Sequence, residues 1–106
     1  MEQIMFVERQ TVLCKKGRYR ELQKLLREWS AEFRFPRAKK RYYFTYVGQD
    51  HHAICIELEF KSLDELQKAW EEWEEMAEEM APYLEKYEAL VDEHLATELW
   101  RVEHIE

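Results

Sequence analysis

Residues Lys40–Phe60, KRYYFTYVGQDHHAICIELEF, decide the fold. Two runs rich in aromatic and β-branched residues, Lys40–Gly48 and Ala53–Phe60, flank Gly48-Gln49-Asp50-His51, which has the composition of a tight connection, so the segment reads as a hairpin. In the second run Ile54, Ile56, Leu58 and Phe60 alternate with Ala53, Cys55, Glu57 and Glu59, and a strand sends these two sets to opposite faces of a sheet. With Tyr46 opposite Ile54, Tyr42 and Phe44 join the first set, while Tyr43, Thr45 and Val47 join Cys55 and Glu57. A slip of one residue would exchange the sets.

Downstream, Ser62-Leu63-Asp64-Glu65 forms a capping box, in which the hydroxyl and the carboxylate satisfy free amides at a helix start. The predicted helix carries Leu63, Leu66, Ala69, Trp70, Trp73, Ala77 and Met80 on its inner stripe. Pro82 should bend or restart it, and Tyr83, Leu84, Tyr87, Leu90 and Val91 continue the helical spacing. Ala96–Val102 (ATELWRV) closes the pattern as a strand. Upstream, Ile4–Cys14 (IMFVERQTVLC) reads as a strand and Lys15-Lys16-Gly17 as a turn. From Arg18 to Arg34, Tyr19, Leu22, Leu25, Leu26, Trp29 and Phe33 mark one apolar helical stripe, and Pro36 lies in the break after it.

The order is therefore β-α-β-β-α-β over residues 1–106 as one domain. Two right-handed crossovers fold it into a ferredoxin-like α+β unit, a four-stranded antiparallel sheet with both helices on one face. The other face, with Tyr43, Val47, Ala53 and Cys55, is too apolar to stay bare, and a second copy of the chain is the expected cover. The expected assembly is an isologous homodimer with a small-molecule pocket at the sheet. A pocket lined by Trp70, Trp73 and Tyr43 would favour a ligand, and a filled interior a purely structural role.

Composition narrows the function. The net charge of −7 argues against broad nucleic-acid binding, which needs a basic surface. An RNA-recognition domain shares the strand order but needs aromatics in the middle of the third strand, where Ala, Cys and Glu alternate with aliphatics. Charge is polarised: residues 1–41 hold 12 Lys and Arg against 5 acids, and residues 42–106 hold 4 against 18. The two regions attract one another within a chain or between copies. No membrane span or signal-peptide pattern occurs, so a cytoplasmic location is expected. Many Glu, Lys and Arg residues with no Asn resemble a thermostable composition. Cys14 and Cys55 lie in separate strands and read as buried thiols.

Several chemistries are poorly served. Adjacent histidines in a strand point to opposite faces, so Asp50-His51-His52 is a weak metal motif. The acidic run Glu71–Glu79 has no Glu-x-x-His partner and reads as a solvated face, part of which is expected to meet the basic residues Arg34, Arg37, Lys39, Lys40 and Arg41 of a neighbouring copy. Two isolated glycines cannot cradle a phosphate, and no Gly-x-Ser-x-Gly occurs. No metal and no cofactor is expected.

Thr11-Val12-Leu13-Cys14-Lys15-Lys16-Gly17-Arg18 resembles the strand-to-helix entry of dimeric α/β-barrel proteins, with Lys16 standing where these often have proline. Glu57–Leu63 resembles their passage from the third strand into the second helix. Ala89-Leu90-Val91 with Glu98-Leu99-Trp100-Arg101-Val102 is similar to the close of NIPSNAP-like and antibiotic-biosynthesis-monooxygenase-like domains. The resemblance implies a pocket for a small apolar or aromatic metabolite, and in the second group cofactor-independent oxygenation of an aromatic substrate. The haem-degrading relatives are implied by an asparagine and a haem-ligating histidine in the cleft, and this chain has no asparagine. Candidate pocket residues are Tyr43, Thr45, Cys55, Glu57, Trp70, Trp73, His94 and Arg101. Of these the aromatics would stack on a ring, Glu57 or His94 would take a phenolic proton, and Arg101 would hold an oxyanion. A plainer role competes in each case, since tryptophans at helical spacing are ordinarily core and Glu57 can pair with an arginine on a neighbouring strand.

Overall fold

A computed structural model describes residues 3–34, 37–45 and 52–104. Its elements are β1 (Gln3–Cys14), α1 (Tyr19–Glu32), β2 (Lys39–Phe44), β3 (Ala53–Phe60), α2 (Leu63–Glu75), α3 (Ala77–Leu90) and β4 (Val91–His104). The strands form one antiparallel sheet in the order β2-β3-β1-β4. The expected ferredoxin-like fold is present. Pro36, Tyr46 and Val47 of the expected strand, and the expected connection Gly48–His51 lie outside the described residues.

The pairing is Phe44 opposite Ile54, Tyr42 opposite Ile56 and Tyr43 opposite Cys55. This differs by two residues from a register with Tyr46 opposite Ile54. An even shift preserves the faces, so Tyr42 and Phe44 share a side with Ile54 and Ile56, while Tyr43 and Thr45 share the other with Cys55 and Glu57. The helices cover the first side. Val12, Cys14, Ile54 and Val91 pack with Leu22, Leu25 and Leu26 of α1 and Tyr87 of α3. Leu58 and Phe60 pack with Leu66 and Ala69 of α2.

Two boundaries depart from the sequence pattern. The second helical stretch breaks at Met76, and α3 then runs through Pro82. The like-charged pairs Glu74/Glu78 and Glu75/Glu79 straddle this point and weaken a continuous helix there. With the restart at Met76, Pro82 falls in the second turn of a new helix, where its missing amide forfeits a single bond. The last strand begins at Val91, five residues before Ala96, so His94 lies within β4 although it precedes the expected strand. Two irregularities in the β1–β4 ladder hide the early start, because Val12 faces His94 and Cys14 faces Val91 while Leu95 and Asp92 are left unpaired.

Turn and cap chemistry follows the residues. Gly17, between β1 and α1, has φ +82, a left-handed conformation that costs glycine little. Ser62 caps α2, its Oγ accepting from the Glu65 amide at 3.1 Å, while the Glu65 carboxylate accepts from Arg37 at 2.9 Å. Arg37 also binds Glu72, so the basic lead into β2 and the acidic face of α2 meet within one chain and not, as the sequence suggested, across to a neighbouring copy. Among the described residues no helix is long and apolar enough to cross a membrane.

Replacing Ser62 by Ala should remove the cap bond and cost about 1 kcal/mol. In a chain of this size that lowers Tm by about 4–8 °C, read by a thermal melt followed by circular dichroism.

Candidate functional site

A cavity of about 360 Å³ lies between the helices and the covered face of the sheet. Each element contributes by its own periodicity. Gln10 of β1, Lys40 and Tyr42 of β2, and Ile56 and Leu58 of β3 share the covered parity. α1 adds Leu26 and Trp29, one turn apart. Trp73, Ala77, Met80, Leu84 and Tyr87 recur every three or four residues, so one stripe continues across the break at Met76. Glu88 and His94 complete the lining, and with Ala77 and Leu84 they are its exposed members on α3 and β4.

The walls are chiefly aromatic and aliphatic. Trp29 stacks with Tyr83 at 5.8 Å between ring centroids and meets Tyr87 edge-on at 6.0 Å. Tyr42 donates to the Leu26 carbonyl at 3.3 Å and pairs with the Ser30 hydroxyl, and burial pushes its pKa up. His94 Nε2 lies 3.1 Å from a Glu88 carboxylate oxygen, and its ring packs against Tyr87. Burial pushes Lys40 down, although the side chain keeps accessible surface, because it faces the cavity while protein surrounds it.

The sequence-proposed residues separate. Trp73 and His94 line the cavity. Tyr43, Thr45, Cys55 and Glu57 lie on the opposite, helix-free face, where strand alternation places them together. Thr45 Oγ1 donates to the Ala53 carbonyl at 2.9 Å. Trp70 is exposed and donates to Glu8 at 3.2 Å, bordering a second pocket. Arg101 pairs with Glu103 at 2.6 Å on β4. The periodicity placed Leu63 and Trp70 on the inner stripe, but both are exposed. Reading the sequence missed Gln10, Trp29, Lys40, Tyr87 and Glu88. Tyr87 carried a signal, since a tyrosine on an apolar stripe brings a hydroxyl that needs a partner.

On the helix-free face Glu57 is the centre. The residue is 3% exposed, and its carboxylate accepts from Arg9 at 3.0 Å, Arg41 at 3.0 Å and Tyr43 at 2.9 Å. The Arg9 guanidinium also lies over the Tyr43 ring at 5.6 Å. Burial acts to raise the Glu57 carboxyl, but the three hydrogen bonds outweigh it and hold the pKa below its ordinary value of 4.5. This cross-strand cluster is satisfied, and it pins β1, β3 and β2 together.

Beyond the weak His51–His52 motif, whose first residue lies outside the described residues, no group of three His, Cys, Asp or Glu is placed to hold a metal ion among the described residues.

Four antiparallel strands in this order, with helices on one face, form the ferredoxin-like α+β fold of NIPSNAP and antibiotic-biosynthesis-monooxygenase-like structures. The chain is similar to a NIPSNAP family protein from Agrobacterium tumefaciens, with TM-score 0.71 and 19% identity over 92% of this chain and 90% of that one. A second protein of that family and organism, of unknown function, matches with TM-score 0.68 and 21% identity over 94% and 87%. A Chloroflexus aurantiacus protein assigned provisionally to the antibiotic biosynthesis monooxygenases matches with TM-score 0.65 and 12% identity over 91% and 90%. At such identities the likeness is one of fold. No protein-family model matches the sequence, and no curated protein matches it.

Replacing Glu57 by Gln should cost roughly 2 kcal/mol at pH 7, since charged hydrogen bonds are lost. A carboxyl with a depressed folded pKa stabilises the fold above its unfolded pKa and loses that contribution as pH falls through the folded value. The gap between the two proteins should therefore narrow below about pH 4.5, measured by urea unfolding at successive pH values.

Proposed function

We propose that the chain is a NIPSNAP-like protein that binds a small apolar or aromatic metabolite in the cavity between helices and sheet, and that it does so as a homodimer. The cavity carries this reading. Its volume of about 360 Å³ falls within the range of ligand sites, and aromatic walls with a few polar groups are the usual lining of such sites. A purely structural domain would fill this space. The site lies on the helix side, so Trp29 and Trp73 take the stacking role that the sequence assigned to Tyr43, Trp70 and Trp73.

Surface area supports the dimer. The chain exposes 7851 Å², whereas a compact monomer of 13.1 kDa exposes about 6,400 Å². The excess exceeds the roughly 800 Å² per partner that a standard interface buries. Trp100 and Val102 of β4 are exposed on the helix-free face beside Val7 and Met5. A second sheet laid on this face would cover them and further enclose the Glu57 cluster.

One observation favours catalysis as a second reading: His94 and Glu88 make a paired base at the cavity edge, beside a wall suited to an aromatic ring. Such a pair can take a phenolic proton, the first step of cofactor-independent oxygenation. Oxygen consumption with a dihydroxy-aromatic substrate, without added metal or flavin and lost in His94→Ala, would carry that reading.

A neutral bicyclic aromatic such as naphthalene-2-methanol should quench the tryptophan fluorescence saturably, and Ala77→Trp, which fills the cavity, should abolish binding. Unsaturable quenching, equal in both proteins, would remove the pocket. By light scattering the chain should run at twice 13.1 kDa, and Trp100→Glu should reduce it to a monomer.

A further inference from the structure

Glutamates are buried on both faces of this sheet, and their charges are met differently. On the helix-free face Glu57 receives two guanidinium groups and a phenol. On the helix side Glu8, 6% exposed, receives the Gln10 amide at 2.9 Å and the Trp70 indole at 3.2 Å. Both donors are neutral, and among the described residues no cation pairs with Glu8. Two neutral hydrogen bonds make the carboxylate tolerable, but they leave its charge without an opposite one where burial makes charge costly.

That charge borders a pocket. β1 is laddered to β3 on one side and to β4 on the other, so the main chain of Glu8 is sealed and the surface it keeps belongs to its side chain. The residue lines the second pocket, of about 490 Å³, with Trp70 and Trp73, one turn apart on α2. Trp70 is 46% exposed, and the bond from its indole fixes an open ring beside the carboxylate. The other charged groups of this lining, Glu74 and Glu98, are acidic and exposed. A carboxylate flanked by indole rings is the chemistry that receives an organic ammonium ion, through opposite charge and through the attraction of a cation to an aromatic face. The pocket shares Gln10 and Trp73 with the larger apolar cavity, so one ligand can lie across both. Lys40, which lines that cavity, shares a cross-sheet row with Glu8, with Leu58 between them. Two strand spacings, about 10 Å, therefore separate Lys40 from an ammonium held at Glu8.

Building on the small-molecule reading above, we propose that the ligand is a small aromatic amine, its ring in the cavity against Trp29 and Trp73 and its ammonium seated on the Glu8 carboxylate beside the Trp70 ring. The test compares 4-phenylbutylamine, charged at pH 7, with its neutral counterpart 4-phenylbutan-1-ol by calorimetry. The amine should bind at least about tenfold tighter, the scale of a hydrogen bond between charged groups. Glu8→Gln keeps the shape of the side chain and should bring the two ligands within about threefold of each other. Trp70→Leu, at an exposed position, should weaken the amine about threefold and leave the alcohol unchanged. Equal binding of the two ligands, or a preference for the amine that survives Glu8→Gln, would overturn the ammonium site and leave the cavity reading standing. Failure of both ligands to bind would overturn the two together. Should Glu8→Gln fold poorly, the affinity ratio in the unaltered protein and its response to Trp70→Leu still decide.

Discussion

The alternation of side chains across a single sheet governs this molecule. Helices shield one side of four strands, so the parity of each strand residue assigns it to the covered cavity or to the open face. Ile56 and Cys55 are neighbours in sequence, yet one lines the cavity and the other stands beside Glu57. The cross-strand pairs extend this rule from β3 to its neighbours, and the fully bonded Glu57 reinforces it. A shift of one residue on β2 would turn Arg41 toward the covered side and Phe44 toward the open face, separating Glu57 from a charged donor and taking a ring from the core.

The cavity arises from how the second helical stretch meets this sheet. Continuous packing of a helix stripe on strands leaves few voids larger than a water molecule. Here Leu66 and Ala69 pack tightly on Leu58 and Phe60, and Leu22 and Leu25 pack on Val12 and Ile54. Between these two clusters the chain turns at Met76, and the stripe from Trp73 to Tyr87 stands along the gap. Acidic repulsion at the break and the restart before Pro82 thus belong to the same local event that keeps the space open. Arg37, bound to both Glu65 and Glu72, ties the outer face of α2 to the lead of β2 and fixes the far side of the gap.

Much of the fold was legible because its signals are local. The alternation in Ala53–Phe60, the Ser62 cap and the stripe of Leu22, Leu25 and Leu26 each settle an element without reference to distant residues. The faces of β2 were also correct despite a register two residues away, since parity tolerates an even shift. The site was less legible. Tyr43 and Glu57 have the right chemistry for a pocket, but they share a face that no helix covers. Trp29 and Tyr87 read as core because a cavity lining and a core use the same apolar spacing, and only the inter-element distance separates them. His94 fell outside the strand read as Ala96–Val102 because the two ladder irregularities broke the alternation on which strand recognition depends.

The three buried polar groups Glu8, Glu57 and Tyr87 bear on what kind of space this is. Two carboxylates, each costly to bury alone, are made tolerable by donors from tryptophan, glutamine, arginine and tyrosine side chains, which shows that the fold provides partners where stability demands them. The phenol at Tyr87 could have been served by the same means, since Tyr42 on the same cavity pairs with Ser30 and the Leu26 carbonyl. Tyr87 differs: among the described residues nothing pairs with its hydroxyl, an oxygen closed to solvent, while its ring packs edge-on against Trp29 in the cavity wall. Its place in the lining is thus that of an aromatic surface, the same that Trp29 and Trp73 supply.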